Sequence, residues 1–336
     1  MTVRYDVEFN SAAHYPANII PELALMAESA GFGAFWAGES NNADPFVVLS
    51  AIASRTSTIQ LGTAAYHIYG RSPITLGIQS ATLQDLSGGR VLLGLGVSNH
   101  TIASWHGGIF DHPLRRAEEY INIVRKVSQG ERAEFDGQVY NTGRGFKLAW
   151  KPEHGAPPVY LAGLGKMMTA LGGRIGEGVM LNMVTPDAIR EIVRRTHAAA
   201  IKAGKDPKDV EIVAKVRVAL HPDPAVARNR LRQVLTFYNI AEFYGDMMIS
   251  QGFESEVSAV KKAFQDGGFK NAMTQVTDSY IEKLPVVVGT SIQQVKESLV
   301  PFVEAGVTRL IIPYVPSGDS VVADAREFLR LWEASA

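Results

Sequence analysis

The chain has 336 residues, 46% hydrophobic and 20% charged, with a formal net charge of −1. That length supports one large α/β domain with a substantial core, and the balanced charge, with no basic surplus, argues against a nucleic-acid partner. The absence of cysteine excludes disulfides, thiolate metal sites and a thiol nucleophile. The opening residues Met1 to Asp6 turn polar at once, and no apolar run approaches membrane-spanning length. A cytoplasmic protein acting on a small molecule, with no membrane partner, is therefore expected, and any redox chemistry must come from a cofactor.

Short apolar strands alternate with helical patterns along the chain, the signature of repeated βα units. Arg4 to Phe9 reads as a strand, Ile20 to Ala30 as a helix stopped at Gly31, and Ala34 to Ala37 as the second strand. Asp44-Pro45 opens the next helix as N-cap and first-turn pair. Ile59 to Thr63 is the third strand and Pro73 to Leu86 its helix; Ser87-Gly88-Gly89-Arg90 then turns the chain into a fourth strand, Val91 to Gly96. The glycines of that turn supply positive φ, and the apolar run after it suits a parallel strand covered on both faces.

A helix from about Pro113 to Gln129 follows, and from Gly130 to Pro158 the periodicity is lost, with Phe135 to Tyr140 reading as a small hairpin. Pro158 to Ala162, Val179 to Asn182 and Glu211 to Leu220 are strands five to seven, with helices at Lys166 to Ile175, Pro186 to Ala203 and from Pro224 onward. Gly245 to Leu284 adds helical sequence beyond a minimal barrel. Thr290 is expected to cap a helix reaching Ala305, and Thr308 to Tyr314 is the eighth strand. Eight units predict an α/β chain folded as a (β/α)8 TIM barrel, one domain over 1–336 with insertions near 130–158 and 245–285.

In such a barrel the ligand site lies on the loops after the strands. Those loops carry Asn10 and His14; Glu39, Ser40, Asn41 and Asn42; Tyr66, His67 and Tyr69; and Ser98, Asn99, His100, Trp105 and His106. Glu39, His67, His100 and His106 are the candidate acid–base residues, with Glu39, His67 and His106 assigned to catalysis, although each of these three side chains also has an ordinary structural reading as a loop cap or a hydrogen-bonded histidine. No His-Glu-x-x-His pair or carboxylate cluster suggests a metal, and no Gly-x-Ser-x-Gly elbow suggests acyl transfer. Ala162-Gly163-Leu164-Gly165 runs from strand to helix, where unclaimed amides and the helix dipole make a phosphate cradle, with Lys166 as an added charge. Gly94-x-Gly96 lacks the third glycine and the βαβ setting of a nicotinamide fingerprint.

Several segments in order resemble the bacterial luciferase-like family of flavin and deazaflavin oxidoreductases over nearly the whole chain. They are Ala30 to Glu39, Ile59 to Ala64, the Ser-Gly-Gly-Arg turn into Gly94-Leu95-Gly96, Ala162 to Gly165, Val288-Gly289-Thr290 and Glu304 to Val307. The Gly96-Val97-Ser98 loop, Trp105-His106-Gly107 and Phe110 to Arg116 are most similar to the branch that uses the deazaflavin coenzyme F420, which includes methylenetetrahydromethanopterin reductase.

The resemblance implies a luciferase-like barrel with the cofactor ring across the strand ends, Glu39 as the acid near the ring, and a non-prolyl cis peptide at Ala64-Ala65. It places Gly96, Val97 and Ser98 beside the cofactor, the phosphate on Ala162, Gly163, Leu164, Gly165 and Lys166, and two copies of the chain in a homodimer. Where sugar-phosphate dehydrogenases of this family place an acid–base histidine and a glutamate, this chain has Ser40 and Asn99, so sugar-phosphate oxidation is not expected. The reading that follows is hydride transfer between F420 and a small organic substrate. A monooxygenase using reduced flavin mononucleotide, FMN, and a non-catalytic flavin-binding protein are the alternatives.

Overall fold

The computed structural model describes residues 3–9, 13–39 and 41–335; Asn10 and Ser40, named above, lie outside them. The strands are β1 (Arg4–Glu8), β2 (Ala34–Ala37), β3 (Gln60–Thr63), β4 (Tyr66–His67), β5 (Val91–Gly96), β6 (Val159–Ala162), β7 (Gly178–Asn182), β8 (Glu211–Lys215), β9 (Arg217–Leu220), β10 (Val286–Gly289) and β11 (Arg309–Pro313). Eight of them pair in parallel around a closed ring, in the order β1, β2, β3, β5, β6, β7, β8, β11 and back to β1. The predicted (β/α)8 barrel is therefore the fold. The two-residue β4 continues past the third barrel strand to pair with the end of β5.

The helices are α1 (Ile20–Ser29), α2 (Pro45–Ala53), α3 (Pro73–Ser87), α4 (His100–Trp105), α5 (Pro113–Ser128), α6 (Lys166–Ile175), α7 (Pro186–Lys202), α8 (Pro224–Ile240), α9 (Glu242–Ser250), α10 (Glu254–Thr274), α11 (Asp278–Ile281), α12 (Ile292–Glu304) and α13 (Val321–Glu333). Four of them start with one local device. The side chains of Asp44, Ser72, Thr185 and Asp223 accept a backbone N–H of the first turn, and a proline stands immediately after each. Proline at that place loses no helical hydrogen bond, and the cap satisfies an otherwise orphaned donor.

Period-two alternation sorts the strand residues. Trp36, Leu92, Tyr160, Met180, Val213 and Ile311, from six different strands, form a cluster inside the ring, whereas Val7, Phe35, Leu61, Leu93, Leu161 and Ile212 pack outward among the helices. A third cluster joins α8 to α11 with Met183, Ala219 and Val315. Those three residues lie at or beyond strand C-terminal ends, so the helical insertion covers one side of the barrel mouth.

Four features depart from the sequence reading. The seventh predicted strand is broken at Val216, and its second half leaves the ring to pair with β10, which was not anticipated. Ser291 rather than Thr290 caps α12; the Thr290 N–H and hydroxyl donate instead to the Gln294 side chain. The expected hairpin is reduced to single antiparallel bridges, Ala133 to Phe146 and Asp136 to Asn141. Helices α4 and α13 were read as loop or left unassigned.

Candidate active site

Glu39 follows β2 at the mouth and turns inward. One carboxylate oxygen accepts the His67 backbone N–H at 3.0 Å and the other accepts from Arg71. Arg71 also donates to Asp44 at 2.8 Å and lies 4.5 Å over the Tyr66 ring, so its guanidinium ties the loop after β2 to the loop after β4. His67 Nε2 is 3.4 Å from Glu39 Oε2 and 3.1 Å from His106 Nε2.

The His67 ring is buried, and among the described residues its Nδ1 has no partner. Burial pushes its pKa below the usual histidine value; Glu39 opposes that shift, while the charges of His106 and Arg71 add to it. His106 is exposed at the end of α4. The two rings, with centroids 4.4 Å apart, thus join an interior nitrogen to solvent.

Beside this cluster the mouth has a low floor. Strand register sets His67 opposite Gly96 and Gly96 opposite Ala162. A Cβ on Gly96 would stand 3.4 Å from Ala65 Cβ and 3.5 Å from Ala162 Cβ, filling the gap between them. Ala64, Ala65, Gly96 and Ala162 therefore present a surface of backbone and methyl groups. The Ala64-Ala65 peptide is cis, as the resemblance implied. Beneath it, the buried Lys215 ammonium donates to the Ala64 carbonyl and pairs with Glu8 at 2.9 Å. Val97 and Ser98, the latter at φ 56°, carry the chain from the floor into α4.

On the far side of the floor, β6 runs through Gly163-Leu164-Gly165 into α6, whose first turn has no side-chain cap. A Cβ on Gly163 would meet Met168 Cγ at 2.3 Å, so close packing of the loop on the helix requires glycine there. Gly165 and Lys166 are exposed. An uncapped helix N-terminus of this length directs amide hydrogens and a partial positive charge outward.

The structure thus brings Glu39, His67 and His106 together and sets Ala64, Ala65, Gly96 and Ala162 side by side, with Gly163 to Lys166 adjoining. It does not recruit the other histidines: His14 faces the Asn42 side chain at 3.5 Å, and His100 packs on Phe110 with centroids 4.4 Å apart. Asn99 caps α4 through the Ile102 N–H at 3.0 Å. Sequence reasoning missed Arg71, Glu8, Lys215, Asn182 and Arg217. Their signal was charge at alternate positions of strand-like runs, Asp6-x-Glu8 and Lys215-x-Arg217, where inward charges must find partners. Among the described residues no group of three His, Asp or Glu side chains could hold a metal ion, and no helix is long and apolar enough to cross a membrane.

The profile of the luciferase-like monooxygenase family matches residues 7–309. The chain belongs to that family. Among its relatives, the 5,10-methylenetetrahydromethanopterin reductase of Methanolobus tindarius is 30% identical over 300 residues, covering 88% of this chain and 90% of that protein. The reductase of the same name from Archaeoglobus fulgidus is 28% identical over 312 residues, 91% of each chain. The solved coenzyme F420-dependent tetrahydromethanopterin reductase of Methanopyrus kandleri shares the fold of this luciferase-like protein with a TM-score of 0.85 at 21% identity, over 98% of both chains.

Proposed function

We propose that the protein is a coenzyme F420-dependent oxidoreductase that moves a hydride between C5 of the deazaflavin and a small organic substrate at the C-terminal mouth of the barrel. The observation that carries the reading is the row His67, Gly96, Ala162 across three strand ends. It sets a flat floor between a buried acid–histidine cluster and an uncapped helix N-terminus, and the reductase activity of the relatives supports it.

The residues fit the coenzyme. A planar tricycle would lie on Ala64, Ala65, Gly96 and Ala162, whose own side chains are no larger than methyl, with Val97 and Ser98 at its edge. The first amides of α6, the Gly163-Leu164-Gly165 loop and Lys166 would hold its phosphate. When bound, F420 supplies the hydride chemistry, and the protein supplies position, electrostatics and exclusion of water.

Glu39 positions the acid–base machinery. Both its oxygens are engaged, so it fixes the Arg71 guanidinium and the backbone of His67. His67, kept neutral by burial, handles a proton at Nε2 and exchanges it with solvent through His106. The luciferase-like unit is further proposed to work as a cytoplasmic homodimer, which light scattering on purified protein tests. The chemistry is tested by anaerobic assay of reduced F420 against a panel of imines, ketones and activated alkenes. Coenzyme oxidation without oxygen is expected; turnover only with reduced FMN and oxygen would contradict the proposal.

A further inference from the structure

Val213, Lys215 and Arg217 form three successive layers at two-residue steps along β8 and into β9, where the chain has left the ring, and Asn182 on β7, in register with Lys215, lies one step below Arg217. The first two layers have complete partners, since Val213 packs in the interior cluster and Lys215 pairs with Glu8. The third does not. Arg217 is 1% exposed, yet among the described residues no carboxylate lies within ion-pair distance.

Its partners are all neutral. Nη1 donates to Asn182 Oδ1 at 2.8 Å, Nη2 donates to the Tyr238 hydroxyl, and the guanidinium lies 4.5 Å over the Tyr238 ring. Nε has no partner. Asn182 in turn accepts nothing from Tyr244 but donates to its hydroxyl at 3.1 Å, and the Tyr238 and Tyr244 rings meet edge to face at 4.5 Å. Burial holds the Tyr244 hydroxyl well above its usual pKa, so it stays protonated and can donate in turn.

A buried guanidinium without a counter-ion is expensive, and a fold that keeps one normally uses it. We propose that Arg217, held by Asn182 and Tyr238, is the anchor for an oxyanion on the substrate, a carboxylate or a phosphate, and that it selects anionic substrates for this mouth. The fork formed by Nε and the second Nη2 hydrogen matches the two oxygens of such a group. Tyr238 and Tyr244 come from α8 and α9, so the anchor lies where these helices meet the barrel. The inference rests on reading the mouth as the reaction site, but not on the identity of the coenzyme.

Two probes, inorganic phosphate and glutarate, are titrated calorimetrically into the protein with and without F420, for wild type and for Arg217→Met and Arg217→Lys. Saturable binding of at least one probe to wild type is expected, weakened about tenfold or more in Arg217→Met and partly restored in Arg217→Lys, with the F420 affinity unchanged. The probe that binds tighter identifies the class of anion.

Equal binding by wild type and Arg217→Met, or no saturable binding to wild type, would overturn the proposal. Loss of F420 affinity in Arg217→Met would also overturn it, because the anchor would then belong to the coenzyme. Failure of F420 to bind wild type while the anion still binds through Arg217 would overturn the coenzyme reading and leave this one standing. Thermal melting guards against a purely structural role: removing an unpaired buried charge should leave the melting temperature of Arg217→Met unchanged or higher, whereas a structural strut would lower it.

Discussion

The two ends of the barrel each bury an arginine, and they treat it differently. At the N-terminal end, Arg309 uses every edge of its guanidinium: Nη1 to Asp6 at 2.8 Å, Nη2 to Gln60 at 2.7 Å and Nε to Glu211 at 3.3 Å. Asp6 also takes the Trp36 indole N–H at 2.8 Å, and Glu211 takes the Tyr160 hydroxyl at 2.7 Å. At the C-terminal end, Arg217 has neutral partners and an unused Nε, and His67 has an unused Nδ1. The donors of the buried arginine are all engaged where the barrel is only held together, although Asp6 Oδ1 there lacks a partner among the described residues, and a guanidinium donor is left over at the mouth. That difference between the two arginines accords with the rule that barrel enzymes work at the C-terminal face.

The contrast breaks most sharply at Arg309. Arg309→Met leaves the buried Asp6 carboxylate without its cation and Glu211 with Arg4 alone, which costs about 3–5 kcal/mol and should lower the melting temperature by roughly 5–10 °C. A loss no greater than that of Arg217→Met would show that the two ends do not differ. Next, Glu39→Gln removes the charge that holds Arg71 and the His67 loop, and kcat/KM should fall about 100-fold with the fold intact by circular dichroism; wild-type turnover and F420 affinity would remove its assigned role.

A smaller effect sharpens the proton route. His106→Gln should lower kcat about tenfold while F420 affinity stays at the wild-type value. In wild type the acidic limb of kcat/KM should lie below the usual histidine pKa of about 6.5, because burial depresses His67. The sign for stability is the same: with a folded pKa below the unfolded one, the contribution of neutral His67 is full above that usual value and is lost as pH falls. An acidic limb above it would contradict a desolvated His67.

The smallest effect lies away from the mouth, at Glu28. Desolvation there is outweighed by the backbone N–H groups of Thr58, Ile59 and Ser57 and by the Thr58 hydroxyl, which hold its pKa at about 2. Its contribution is present above the unfolded value of 4.5 and fades as pH falls toward 2. Glu28→Ala should therefore melt roughly 1–3 °C lower at neutral pH and equally near pH 2; a pH-independent difference would contradict the bonding assigned to it.

The order of strands and helices was legible because its causes are local. Cap-and-proline pairs such as Ser72-Pro73, the glycine turn Gly88-Gly89 and four-to-six-residue apolar runs act within a few residues of themselves. The resemblance added the cis peptide at Ala64-Ala65, whereas the floor of small residues emerged only when Ala65, Gly96 and Ala162 were set side by side. The partners of Glu39 were not legible, since Arg71 lies 32 positions away and His106 reaches His67 across 39. Nor was β10, because Val286 to Gly289 becomes a strand only when the chain breaks at Val216 and frees β9 to receive it. Arg217 shows both sides: its alternation with Lys215 was written in the sequence, but its lack of a counter-ion is a property of the assembled mouth.

The central claim is that this mouth is built for a deazaflavin, and titration of purified apoprotein with oxidised F420 and, separately, with FMN tests it directly. With tryptophan fluorescence as the readout, the account predicts saturable quenching by F420 at concentrations where FMN has no effect. Binding of FMN with equal or higher affinity, or no response to F420, would contradict it.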